Sequence, residues 1–257
     1  ATVIPIHLQF GDESYRDGID ITREEFYGRL NGQVMPSTSQ PAPSDFINVY
    51  ERLLSRFRTI ISIHVSGEGS GTCQVANIAK ARFPDADIEV FDSQSASMGI
   101  GFLVLEAAEA VLRGKTKEEI LRMLTELRPR IISYAMIDSI RHLLKSGRVR
   151  AGQALIASLL SVKPLISIRQ GVVEVVDRVR TRRAALDRLI ELTLAAAGDN
   201  PKSRLAVVHG NVLDEANKLR DRLRPLVGCE EIVVTDIGSA LAIHGGPGII
   251  GVVCLPG

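Results

Sequence analysis

Apolar positions change period several times along the chain, and each change marks an element. Thr2 to Phe10 alternates with period two, as a strand does, and Gly11-Asp12-Glu13-Ser14 then reads as a turn. Thr22 with Glu25 three residues on has the form of a capping box and opens a helix through Leu30. Phe46, Val49, Tyr50, Leu53, Leu54 and Phe57 recur at helical spacing behind Ser44, a candidate cap, and form a core-facing stripe. Ile60, Ile61, Ile63 and Val65 are instead a compact β-branched run, the pattern of a strand buried on both faces of a parallel sheet. A helical segment through Lys80 follows, and Ile88 to Phe91 is a second short strand, succeeded by a helix from about Met98 to Arg113. Gly114 ends that helix. Thr116 and Glu119 form another capping box for a helix to about Leu127, which Pro129 stops.

The second half has a different grain. Ile137 to Lys145 reads as a short helix closed by Gly147, and Gln153 to Leu160 is apolar almost all round, as for a segment buried between layers. Pro164–Ile168 and Val172–Val176, joined through Arg169-Gln170-Gly171, predict a hairpin. A helix over Thr181–Ala197, a strand over Leu205–Val208, a helix over Asp214–Leu223 and strands over Ile232–Val234 and Ile249–Cys254 complete the chain. A glycine-rich turn, Ile243 to Gly248, precedes the last strand. The class predicted is α/β, with a division near residue 130: an N-terminal lobe over 1–130 and a C-terminal lobe over 131–257, to whose interface the closing strand returns.

Two strand–polar turn–helix units stand in succession, and in an open parallel sheet both turns open at the carboxyl edge, where ligands sit. The first turn, Ser66-Gly67-Glu68-Gly69-Ser70-Gly71-Thr72, predicts a cradle whose free backbone N–H groups face an anion. It is not a phosphate loop, because Gly71 is followed by Thr72 and Cys73 rather than by Lys and Ser or Thr. A dinucleotide fingerprint lacks its third glycine, where Thr72 stands, although Asp92 about twenty residues on is of the ribose-binding kind. A nucleophile elbow fails because Glu68 replaces its first glycine. A tight turn without a ligand is the plain alternative. The stretch Met35 to Pro43 carries three prolines, which hold it extended and present the hydroxyls of Ser37, Thr38 and Ser39 in sequence; by composition it also suits a linker.

Composition narrows the partners. A net charge of +1 gives no bulk attraction to nucleic acid or anionic membranes, and 45% hydrophobic with 24% charged residues is ordinary for a globular chain of 257 residues. Cys73, Cys229 and Cys254 are scattered, which excludes a disulfide framework or a zinc motif and fits a reducing cytoplasm. No apolar run of transmembrane length and no signal peptide is visible, although the chain starts inside a strand-like pattern, so an upstream segment is an open expectation.

His244 sits before Gly245-Gly246-Pro247-Gly248, where backbone can approach a ligand closely and an imidazole can donate to a carboxylate; a histidine bonded to a nearby turn carbonyl fits equally. His7, His64, His142 and His209 lack metal-ligand spacing. Arg178, Arg180, Arg182 and Arg183 crowd the end of the hairpin, with Arg148 and Arg150 on an earlier turn. They form either a solvated face or a docking face for an acidic or phosphate-bearing partner. The lack of Phe and Trp in this half argues against nucleic acid.

The runs FGDESYRDGIDI, PSTSQPAPSDF, SIHVSGEGSGT, FDSQSASMG, LLKSGRV, VKPLISI and HGGPG, in this order, resemble the DegV family over nearly the whole chain. The resemblance implies a two-lobed α/β fold, with a parallel-sheet N-terminal lobe, a mixed-sheet C-terminal lobe and a ligand cleft between them. It implies a non-enzymatic carrier that binds a long-chain fatty acid and presents it to a separate, ATP-using fatty acid kinase for conversion to acyl phosphate. The carboxylate is then expected at Thr38, Ser39, Ser70 and His244, with helix N-terminal amides near Gly71 and Thr72 as further donors and Gly245 alongside, and Arg148 and Arg180 are expected to face the kinase. No cofactor or metal is implied, and transient contact with a membrane surface is compatible with the role. The family pattern often has two serines where this chain has Ser66-Gly67 and a threonine at Gly245. It also has a strand with an Asp-Ser-Thr/Ser segment ahead of Ala1, so the chain is expected to be a shortened form. Apolar segments at Ile100–Leu105 and Leu155–Leu160 are candidates for a tail tunnel as well as for core. A hydrolase or acyltransferase using Ser70 with His244 is the rival from another class.

Overall fold

The computed structural model describes residues 1–30, 35–148, 162–197, 200–229 and 231–257. The β-branched run becomes strand β4 (Thr59–His64), which pairs in parallel with β5 (Asp87–Asp92), His64 lying opposite Asp92 at the carboxyl ends. Helices α2 (Pro43–Leu54) and α3 (Thr72–Lys80) cover one side of this pair, where Phe46, Tyr50, Val75, Ala76, Ile60 and Ile88 form a core. Helices α4 (Met98–Leu112) and α5 (Lys117–Leu127) cover the other around Leu103, Ala107 and Leu124. The Thr116 capping box forms as predicted, with Glu119 N–H donating to Thr116 Oγ1 at 3.3 Å and Thr116 N–H to Glu119 Oε2 at 2.8 Å. Ser44 is not a cap. Pro43 is already helical, and Asp45 accepts from the Ala42 N–H at 2.8 Å, closing the turn one residue earlier.

The second lobe is built on a six-stranded mixed sheet. β6 (Ile132–Met136), β7 (Lys163–Arg169), β8 (Val172–Val179), β9 (Arg204–His209), β10 (Ile232–Asp236) and β11 (Ile250–Leu255) lie in the order β10-β9-β11-β6-β7-β8. Only β9 and β10 run parallel; the closing strand β11 is antiparallel to both neighbours and is buried throughout. Alternation assigns the two faces. Leu205, Val207, Ile250, Val252 and Cys254 point to one side and pack on α7 (Arg182–Ala197) and α8 (Leu213–Leu223), whereas Val208 and Val253 point to the other. The predicted hairpin is β7–β8, longer than expected, with a two-residue loop in which Gln170 and Gly171 both take positive φ (49° and 83°).

A third, antiparallel sheet joins β2 (Glu13–Arg16), β1 (His7–Phe10) and β3 (Ser37–Ser39). Thus the extended Pro-rich stretch is a paired strand, and the turn read at Gly11–Ser14 shrinks to its first residues because Glu13 and Ser14 already pair with Phe10 and Gln9. Helix α1 (Arg23–Leu30) buries Phe26, Tyr27 and Leu30 against β1 and against Ala242 and Ile243 of α9 (Ser239–Gly245). The helix read at Ile137–Lys145 starts later, as α6 (Arg141–Ser146), because Ile137 and Ile140 are spent on the core; Gly147 ends it in the left-handed region (φ 69°). Gln153–Leu160 and Arg150 lie outside the described residues. Among the described residues no helix is long and apolar enough to cross a membrane.

Candidate functional site

Where the turns after β4 and β5 face the free side of the six-stranded sheet, they enclose a cavity of about 270 Å³. Its floor is the sheet face opposite α7 and α8, with Ile166, Ile168, Val173, Val208 and Val253; Ile237 and Leu241 close one side. Its polar end is made by separate segments: Thr38, Ser39 and Gln40 from β3 and just beyond, Ser66 and Ser70, Ser95 and Ser97, and His244. Apolar walls with a few convergent polar groups at one end are the common form of a small-molecule site.

Each expected side chain has a position that its local fold explains. Ser70 lies ahead of α3, where its hydroxyl is 2.7 Å from Thr72 Oγ1 and accepts from the Thr72 N–H at 3.3 Å. Thr72 is buried and does not line the cavity; it orients Ser70 from behind. The expected free amides of this turn are largely used internally: the N–H groups of Gly67, Glu68, Gly69, Ser70 and Thr72 donate to Asp92, Ser66 Oγ, the Ser66 carbonyl (twice) and Ser70 Oγ, because the turn closes on itself and on β5. Gly71 is likewise off the wall. A Cβ there would stand 3.1 Å from the Gln40 amide, so the bare glycine lets the segment after β3 close on this turn. Thr38 Oγ1 and His244 Nε2 are 3.0 Å apart, joining β3 to α9. Gly245 also lines the cavity, and a Cβ there would meet Ile249 Cδ1 at 2.5 Å, so Ile249 fills the space a side chain at 245 would need.

Arg148 is exposed, lines the cavity and donates from Nε to the Gly69 carbonyl at 3.4 Å. Arg180 is exposed just past β8 and away from the cavity. The arginine cluster divides further, since Arg182 is tied to Asp138 at 3.0 Å, to Glu215, and to the Gly248 carbonyl at 2.8 Å, bracing the glycine turn instead of facing solvent. Ile100–Leu105 of α4 do not line the cavity; Phe102 and Leu103 are core, so only the packing role of that segment holds. Leu155–Leu160 lie outside the described residues. Sequence reasoning did not single out Ser95, Ser97, Ser133 or Gln40 as lining residues. The signal for the first two was present in the polar turn after β5, and Ser97 carries a strained backbone (φ 51°, ψ −134°) there.

Burial, reinforced by the charge of Arg148, pushes the His244 pKa down to about 4. The ring is therefore neutral at pH 7, with Nε2 toward Thr38 and a buried Nδ1 that has no partner among the described residues. His64, hydrogen-bonded to Ser62 Oγ at 2.6 Å, is lowered to about 4 by burial despite nearby Asp92. Both imidazoles bind protons more readily unfolded, near 6.5, than folded. Their contribution to stability is complete above pH 6.5 and is lost as pH falls toward 4. Thermal midpoints measured from pH 7 to 4 should fall through this window, and His64→Asn with His244→Asn should flatten the fall. An unchanged slope in the double variant would contradict the assignment.

Comparison with known proteins decides the family. A family model described as an uncharacterised protein of the DegV family matches residues 1–257. The chain belongs to the DegV family. Protein DegV of Bacillus subtilis (strain 168) is 32% identical over 252 residues, which cover 97% of this chain and 90% of that protein. The crystal structure of DegV from Bacillus subtilis, described as a fatty acid binding protein, superposes with a TM-score of 0.90 at 32% identity over 99% of this chain and 91% of that one. A DegV family protein from Thermus thermophilus, described by its fatty acid binding, gives 0.90 at 31% identity over 98% and 91%. The two-lobed α/β architecture with parallel and mixed sheets is therefore that of the DegV family. Among the described residues no group of His, Cys, Asp and Glu is arranged to hold a metal ion.

Proposed function

We propose that this DegV chain binds a long-chain fatty acid, with the tail on the apolar sheet face and the carboxylate at the polar end. The observation that carries the reading is the cavity itself, mainly apolar along its floor and lined by hydroxyls and an imidazole from four separate segments. Thr38, Ser39, Ser70 and His244 are the headgroup donors in this proposal, with Gly71, Thr72 and Gly245 shaping the backbone around them. A tail of ~14 methylenes gains on the order of 11 kcal/mol before the costs of association, so the tail sets affinity and the headgroup sets register. Two DegV proteins at 31–32% identity are described as fatty acid binding, which supports the same ligand class here.

The role proposed is that of a cytoplasmic carrier that presents the acid to a separate fatty acid kinase, which would supply ATP and metal. Arg148 at the cavity wall and Arg180 beyond β8 are the residues assigned to that partner. The lobe boundary is placed near residue 130, just ahead of β6. Use of Ser70 as a nucleophile is disfavoured because its hydroxyl engages Thr72 while His244 engages Thr38 instead of Ser70. Native mass spectrometry of protein from a heterologous host tests the reading: a co-purifying fatty acid is expected, lost on organic extraction. Thr38→Val and Ser70→Ala should each weaken rebinding by about tenfold, the worth of one hydrogen bond to a charged group. Protein that stays empty when fatty acids are added ends the proposal.

A further inference from the structure

Asp92 was notable in the sequence as a ribose-type acid, yet it is absent from the cavity wall. Its carboxylate is nevertheless the junction of the two ligand-facing turns. Both oxygens accept the Gly67 N–H at 3.2 Å, and Oδ1 also accepts the Gln94 N–H at 2.8 Å. Two backbone bonds run beside it, Ser66 N–H to the Ser95 carbonyl at 2.9 Å and Ser93 N–H to the His64 carbonyl at 3.1 Å. Asp92 is itself fixed, since Arg128 donates to its carbonyl at 3.0 Å. Gly67 is fitted to this contact: a Cβ there would stand 3.0 Å from Asp92 Oδ2. Gln94, held by the same carboxylate, takes a left-handed φ of 50°, and the strained Ser97 follows in that turn.

We propose that Asp92 is the positioning residue of the headgroup site, joining the turn Ser66–Thr72 to the turn Ser93–Ser97 from outside the cavity and thereby aiming Ser70 at the acid. The proposal rests on the fatty-acid reading above. A carboxylate in this place would repel a bound acid if it acted only as a charge. Its two backbone N–H donors, one from each turn, offset that charge, and its role is to set the angle between the turns. Groups that hold a binding shell from behind act on the part of the ligand that shell touches and leave the rest alone.

The test compares two probes with the same tail, palmitate and hexadecanol, on delipidated protein. Asp92→Ala should weaken palmitate about tenfold and hexadecanol less than about twofold. Asp92→Asn, which keeps a carbonyl oxygen for both N–H donors, should stay within about threefold of wild type for both probes. Gly67→Ala, at an exposed position whose φ suits alanine, should push Asp92 away and weaken palmitate selectively by about fivefold even if Asp92→Ala fails to fold. Equal losses for both probes, an unchanged Gly67→Ala, or tighter palmitate binding by Asp92→Asn would overturn the role of Asp92 while leaving the binding reading intact. A wild type that takes up neither probe would overturn the binding reading itself, and this proposal with it.

Discussion

Replacing Val173 by Trp should lower fatty-acid affinity by about a hundredfold in a protein that still folds. Val173 is a half-buried residue of β8 whose side chain lines the cavity beside Ile166 and Ile168, near the hairpin loop. An indole there occupies length that the tail would use. Displacing about four methylenes forfeits ~3 kcal/mol at ~0.8 kcal/mol each, which is about two decades in the dissociation constant. The change adds volume next to open space, so its cost to stability should be small compared with overpacking a filled core. Lipid retained per protein, measured by native mass spectrometry, should drop with a thermal midpoint of the delipidated protein near that of wild type. Full retention of a long-chain acid in Val173→Trp would mean that the tail lies elsewhere.

Phe26→Ala should produce the largest loss of stability, about 3–5 kcal/mol, read as a fall in the urea midpoint at constant slope. Phe26 is fully buried (0% exposed) and meets Phe10 and Tyr27 edge-on at centroid distances of 6.2 and 5.0 Å. The same cluster includes Ala242 and Ile243, the residues just before His244. A cavity at Phe26 therefore loosens the helix that carries the imidazole, and affinity for the acid should fall together with stability. Leu112, 86% exposed at the end of α4, is the control, since truncating it to alanine should change stability by less than about 0.5 kcal/mol. Equal effects at the two positions would remove the first cluster from the folding core.

The first lobe was the more legible from sequence, because its elements announce themselves locally. The β-branched run at Ile60–Val65, the glycine turn after it and the capping box at Thr116–Glu119 each specify one structure with little help from elsewhere. Three other elements, one of them in the first lobe, depend on distant partners. Glu13–Arg16 is a polar edge strand, and only its pairing with β1 distinguishes it from a turn. Ile132–Met136 alternates Ile-Ser-Tyr-Ala-Met behind a proline stop, and its strand character comes from being flanked by β11 and β7. Ser239–Gly245 is a seven-residue helix hidden by the glycines that follow it. The site shows the same division. Ser70 and His244 could be named from their glycine contexts, but the contact between Thr38 and His244 spans 206 residues and leaves no local trace. Asp92 was visible as an acid at a strand end, while its work on Gly67 and Gln94 appears only when both turns are in place.

The order of the six-stranded sheet sets a schedule for making the cavity. During synthesis the segments of β9–β10 and of β6–β7–β8 are made before β11, and without it each set would have an unsatisfied edge where the finished sheet has β11. Only residues 250–255 zip the two halves together, and Val253 arrives with them as part of the floor. A nascent chain stalled before that strand would have no closed cavity, and its two open edges are the places where chaperone capture or mispairing between copies would begin.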